Sequence, residues 1–211
     1  KDVIASGVRV ISYDNPTDPT AEKTAKALLY SDIAEKNNFD SENNTVSYYL
    51  FTKCEHKNED GSYAFNEGGI CKYCNSEFAA SVSYTADGGE KTELFSDICD
   101  AFDKANEIGT ATVTLYKDIT DSERTQEITV MGNVTLELNG KTLGGRYGIA
   151  RISVSDGGTL TVNGDGDMDT PIYVNENSKL VINGGGYFNS VSVKKGGNAE
   201  IGGGSIQGLS V

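Results

Sequence analysis

The stretch CEHKNEDGSYAFNEGGICKYC, residues 54–74, holds the chain's only histidine and three of its four cysteines. Cys54-x-His56 and Cys71-x-x-Cys74 make two short-spaced pairs with 14 residues between them. Thiolate and imidazole are the donors that tetrahedral Zn²⁺ prefers, and two such pairs on neighbouring turns converge readily on one ion. The intervening NEDGSYAFNEGG is polar and turn-rich, with too few apolar residues to make a core, so this stretch calls for a cross-link. Four protein ligands would fill the coordination sphere and leave no position for a reactive water, which makes the expected zinc structural rather than catalytic. The alternatives are a disulfide between Cys71 and Cys74 or from Cys54 to either, in an oxidising compartment, or free thiols. Glu55 and Glu59 read as solvated surface rather than as a general base.

Two further groups could do chemistry. Asp165, Asp167 and Asp169 in NGDGDMDT are the densest acids of the second half, and alternate carboxylates on a turn can offer hard oxygens to Ca²⁺. They lack the remaining positions of a calcium loop, and a solvated turn is the plainer reading. Arg146, Tyr147 and Arg151 lie in or beside the insertion KTLGGRYGIA. They could stack a sugar on the tyrosine and hold an acidic group with arginine, or belong to an ordinary exposed loop. Tyr187 and Phe188 follow a turn and fit stacking between neighbouring coils equally well. Cys99 reads as a buried apolar residue rather than a reactive thiol.

These residues must be positioned by what surrounds them. From residue 152 the chain repeats: ISVSDGGTLTVNGDGDMDT, IYVNENSKLVINGGGYFNS, VSVKKGGNAEIGGGSIQGL. Val154, Val174 and Val193 align, as do Leu160, Leu180 and Ala199, then Val162, Ile182 and Ile201, in steps of 20 and 19 residues. An earlier copy places Val130, Leu136 and Leu138 24 residues before Val154, Leu160 and Val162. Period-two alternation bounded by Gly and Asn predicts short half-buried strands. A constant repeat of about 20 residues is one coil of a β-solenoid. An antiparallel sandwich with Asn-Gly hairpins would not need its inward residues to recur at constant spacing. The expected fold is therefore mainly β, a right-handed parallel β-helix over 111–211 whose coils would continue past 211. A capping helix over 91–110 would present Leu94, Phe95, Ile98, Cys99, Phe102 and Ala105 to the open end of the first coil. A zinc-knuckle-like β region over 45–90 precedes it. Residues 1–44 read as a strand and a helix, the helix starting at Asp18 and Pro19 with an apolar face of Ala21, Ala25, Leu28, Leu29 and Ile33. That segment could also be the end of a neighbouring domain.

Composition narrows the partners. The net charge is −13, and no cluster of Lys or Arg could neutralise a phosphate backbone, which disfavours nucleic acid. An anionic membrane surface is disfavoured by the same charge, and no apolar run approaches the roughly 20 residues that span a bilayer. Of 25 glycines, 18 fall in residues 111–211, marking a composition boundary near 110.

The order of parts resembles a module of large secreted or surface-attached proteins of Gram-positive, often gut-dwelling, bacteria. The residues carrying the likeness are C-x-H…GG-x-C-x-x-C, then ASVSYTADG, LFSDICDAFDKA, ATVTLYKDIT…ITVMGNVTLELNGKTL and repeats of the form I-x-V-x-x-G-G-x-L-T-V-N-G. The resemblance, over roughly residues 45–211, implies the pectin-lyase-like β-helix class, which carries both polysaccharide-cleaving enzymes and non-catalytic adhesive or spacer domains. It implies an extracellular, cell-surface or secreted protein meeting a glycan or a host surface protein. The functional expectation is a non-catalytic adhesin-like or carbohydrate-binding module or stiff spacer; the alternative is the N-terminal part of a β-helix polysaccharide lyase or glycoside hydrolase. Self-association through an open solenoid end, and a protein partner for the zinc knuckle, are further expectations.

Overall fold

In a computed structural model the backbone is described over residues 8–13, 25–27 and 48–211, and side chains from residue 53 on, except 121–125 and 146–148. The chain divides into two compact units, Lys1–Glu77 and Phe78–Val211.

In the first unit, β1 (Val8–Tyr13) lies between β2 (Ala25–Ala27) and β3 (Tyr48–Lys53), antiparallel to both. The strands expected at the start of the chain and before Cys54 are thus present. The helix expected from Asp18 does not run through Ala25, because Ala25–Ala27 pairs with Ile11–Tyr13. The rest of that expected helix lies outside the described residues.

The second unit is a β-solenoid of about four turns. Its first sheet stacks β6 (Thr110–Leu115), β8 (Asn133–Glu137), β10 (Thr159–Asn163), β13 (Lys179–Ile182) and β15 (Asn198–Ile201) in parallel. The second stacks β7 (Ile119–Val130), β9 (Lys141–Val154), the short pair β11 (Gly166–Asp169) and β12 (Ile172–Val174), then β14 (Tyr187–Val193) and β16 (Ser205–Ser210). Alternation decides which side chains go in. Val113, Leu136, Val162 and Ile182 stand in register as one interior ladder, and Val130, Val154, Val174 and Val193 as another. All but Val193, at 8 % exposure, are sealed from solvent. Each buried Val, Leu or Ile contributes roughly 1.5–3 kcal/mol, so the ladders hold the coils together.

Every alignment made from 152 onward matches the observed register. The earlier copy is displaced. Val130 pairs with Val154, but Val134 and Leu136, not Leu136 and Leu138, face Leu160 and Val162. The corner after Val154 is two residues longer than the corner after Val130. A slip of two leaves every side chain on its own face, so the alternation gave no warning of it. The insertion also differs from a projecting loop, for Lys141–Gly144 pairs with Gly166–Asp169 inside β9. The extra residues fall between Gly144 and Ile152, where register with β7 breaks. Gly144 has φ +113°, and a Cβ there would lie 2.1 Å from the Thr170 hydroxyl, so the corner admits glycine only.

A hairpin of β4 (Ala80–Ala86) and β5 (Gly89–Phe95) adds antiparallel to β6. Pairing with β6 makes this hairpin part of the solenoid unit rather than of the Cys/His region. Among the described residues there is one helix, α1 (Ile98–Ile108). Asp97 caps it by accepting a 2.7 Å hydrogen bond from the Cys99 N–H, and Gly109, at φ 84°, ends it. Ile98, Ala101, Phe102 and Ala105 are buried in the solenoid core beside the first coil, as a cap requires. Leu94 and Phe95, assigned to this helix by periodicity, lie in β5 instead. Asp97 takes its first-turn N–H and fixes the start after them.

Candidate metal centre and the solenoid surfaces

Between β3 and the second unit the chain makes three single antiparallel bridges, Lys57 with Tyr63, Phe65 with Cys71 and Ile70 with Glu77. Asn58 and Asn66 seed the two tight turns: the Gly61 N–H bonds to the Asn58 carbonyl, and the Asn66 side chain accepts from the Gly68 and Ile70 N–H groups. His56 and Asn75 both take left-handed backbone, at φ 59°. These turns fold Cys-x-His onto Cys-x-x-Cys, and Cys54, Cys71 and Cys74 become buried with Ala64 and Tyr73 around them.

The four ligand atoms of Cys54, His56, Cys71 and Cys74 lie within 4.8 Å of one another. Cys54 Sγ and Cys71 Sγ are 3.8 Å apart. A disulfide needs about 2.05 Å, whereas two sulfurs each about 2.3 Å from one tetrahedral ion stand about 3.8 Å apart. Cys74 Sγ and His56 Nδ1 are separated by 3.3 Å, near the corresponding sulfur–nitrogen edge of about 3.5 Å. These separations are compatible with four ligands around one tetrahedral ion, and Cys54 and Cys71 are too far apart for a disulfide.

Polar groups around the sulfurs support the same reading. The His56 N–H lies 3.4 Å from Cys54 Sγ. Cys71 receives the N–H groups of Tyr73 and Cys74, and Cys74 receives the N–H of Ser76, with the Ser76 hydroxyl 3.3 Å from its Sγ. N–H groups aimed at sulfur favour thiolate, the metal-binding form. Burial works against them. It pushes the Cys54 thiol up to about 12 and raises Cys71 too. In Cys74 burial acts the same way, yet the Ser76 bonds and the other sulfurs hold it below its usual value. Burial, then Lys53, lowers His56 and keeps its imidazole neutral, as a ligand must be. Donors around buried sulfur suit thiolates that ligate a divalent ion. Ser76 was not anticipated from the sequence; a hydroxyl two residues past the last cysteine is its only signal.

The other candidate residues have these surroundings. Asp167 accepts the Tyr187 N–H at 2.8 Å, and Asp169 the Asn189 amide at 3.1 Å, so two of the three aspartates bind the next coil. Among the described residues the group whose ligand atoms converge is Cys54, His56, Cys71 and Cys74. Arg151 reaches across to Glu127 at 2.6 Å, and Glu127 also accepts from Ser153 at 2.9 Å. The side chains of Arg146 and Tyr147 lie outside the described residues. Phe188 is fully buried between Met168 and Ile206, and exposed Tyr187 bonds through its hydroxyl to Gln207. Cys99 is half-buried; burial, followed by Asp97, Asp103 and Asp100, pushes its thiol up to about 12.

No family model, no curated protein and no solved structure matches the chain. What stands of the resemblance is its architecture, a β-solenoid preceded by a Cys/His group. No described helix is long and apolar enough to cross a membrane.

Proposed function

We propose that the chain is a non-catalytic, extracellular β-solenoid module of a bacterial surface protein, serving glycan contact, adhesion or spacing, with its Cys/His segment stapled by structural Zn²⁺. The observation that carries the reading is how the solenoid uses its charged groups. Glu127 is tied to Arg151 and Ser153, Glu137 to Asn163, and Asp167 and Asp169 to the following coil. A β-helix lyase or hydrolase needs acids and bases converging on a substrate. Here these groups act as coil-to-coil ties, and the sulfur spacing described above supports the zinc.

The test is to incubate the purified chain with pectin, arabinoxylan and mannan and to follow unsaturated uronide and reducing-sugar release alongside retention on insoluble polysaccharide. The expected outcome is retention without turnover. Turnover that tracks the protein through purification would replace this reading with the polysaccharide-cleaving alternative.

A further inference from the structure

Several outward residues of the solenoid are bonded from coil to coil: Asn163 to Glu137, Asn183 to Asn163, Asn175 to Ser155, Ser210 to Ser192. One region that lacks such bonds is also concave. The outer face of the first sheet, where β6, β8 and β10 meet the hairpin, has a depression of about 390 Å³. Its floor is Thr110, Thr112, Thr135, Thr159 and Thr161 with Asn133. Thr112, Thr135 and Thr161 stand in one cross-strand row, and Thr110, Asn133 and Thr159 in the next. The side chains of these six residues bond to no other described residue. Adjacent strands are about 4.8 Å apart and alternate residues about 6.8 Å, so the rows make a flat lattice of free donors and acceptors. Glu90 lines the hairpin side, and among the described residues no Lys or Arg lines the depression.

We infer that this depression binds a neutral saccharide chain. A threonine hydroxyl both donates and accepts, as a sugar hydroxyl does, and a row of them can follow a polyol. The volume lies within the range of small-molecule sites, about 300–1,000 Å³. Glu90, with no described Lys or Arg on the lining, selects against uronates and sulfated sugars. Among the described residues Tyr84 is the one aromatic on the lining, and this open surface gives millimolar binding. The inference rests on the glycan-contact part of the proposed function and gives it a place and a ligand class.

The experiment is titration calorimetry of the full chain with cellotetraose, maltotetraose, mannotetraose and tetragalacturonate, repeated on Thr112→Val/Thr135→Val and on Thr129→Val. Valine keeps the β-branched shape and removes only the hydroxyl, and Thr129 lies on the other sheet. Circular dichroism verifies each fold. Expected is binding of at least one neutral tetrasaccharide, weakened about tenfold or more in the double variant and unchanged in Thr129→Val, with tetragalacturonate weaker. Three results overturn the inference: no neutral tetrasaccharide bound at millimolar concentration, tetragalacturonate bound more tightly, or binding that survives the double variant. The last leaves glycan contact standing and removes only this site. Cleavage of a bound sugar would instead sink the non-catalytic reading, wherever the sugar sits.

Discussion

At the scale of single residues, the Cys/His group was legible because its chemistry is carried by side-chain type and spacing alone. Its support was not. The N–H groups that face the sulfurs depend on turn geometry, and Ser76 only matters once the chain has turned. The bonds of the aspartates were hidden for a related reason. Spacing along the chain shows which carboxylates are near one another but not which donors arrive from the next coil, and Asp167 and Asp169 are occupied by Tyr187 and Asn189. Metal analysis of the purified chain is expected to give about one zinc, lost in Cys71→Ser; a metal-free chain with a mapped disulfide would remove the staple. The pH dependence has a definite sign. The Cys54 and Cys71 thiols, both raised by burial, are protonated at pH 7 without metal, so zinc must expel at least two protons. Zinc affinity therefore falls on acidification, and calorimetry in buffers of different ionisation enthalpy should show proton release. Proton uptake on binding would contradict the assignment.

At the scale of elements, inward and outward faces were readable throughout because period two survives any even displacement. Lengths at corners were not readable, which is why the copy beginning at Val130 was set two residues out of register. The helix start was misplaced since Leu94 and Phe95 continue the 3.6-residue spacing by coincidence, while the capping carboxylate of Asp97 decides where the helix can begin. The valine ladder yields a prediction of its own. Val174 is fully buried between Val154 and Val193, so Val174→Asp puts a charge where no partner exists and should cost more than about 4 kcal/mol. The thermal midpoint followed by circular dichroism is expected to drop by at least about 10 °C. An unchanged midpoint would mean that the inward register is wrong.

At the scale of the whole molecule, two compact units imply two separable stabilities. Removing metal with a chelator is expected to raise amide exchange across residues 54–74, while β-sheet circular dichroism and exchange in the solenoid interior stay as they were; collapse of both together would show the units to be one cooperative body. The division near residue 78 could not be found from composition, which changes most sharply near 110, because the hairpin and helix belong to the solenoid without sharing its glycine content. Among the described residues of the solenoid, cross-coil side-chain bonds join residues 18 to 26 positions apart. Each new coil therefore closes a loop of about the same length as the last, at about the same entropic cost. Adding a coil thus costs the same whether it is the second or the last, and the entropic demand per coil does not grow with the number of coils the fold carries.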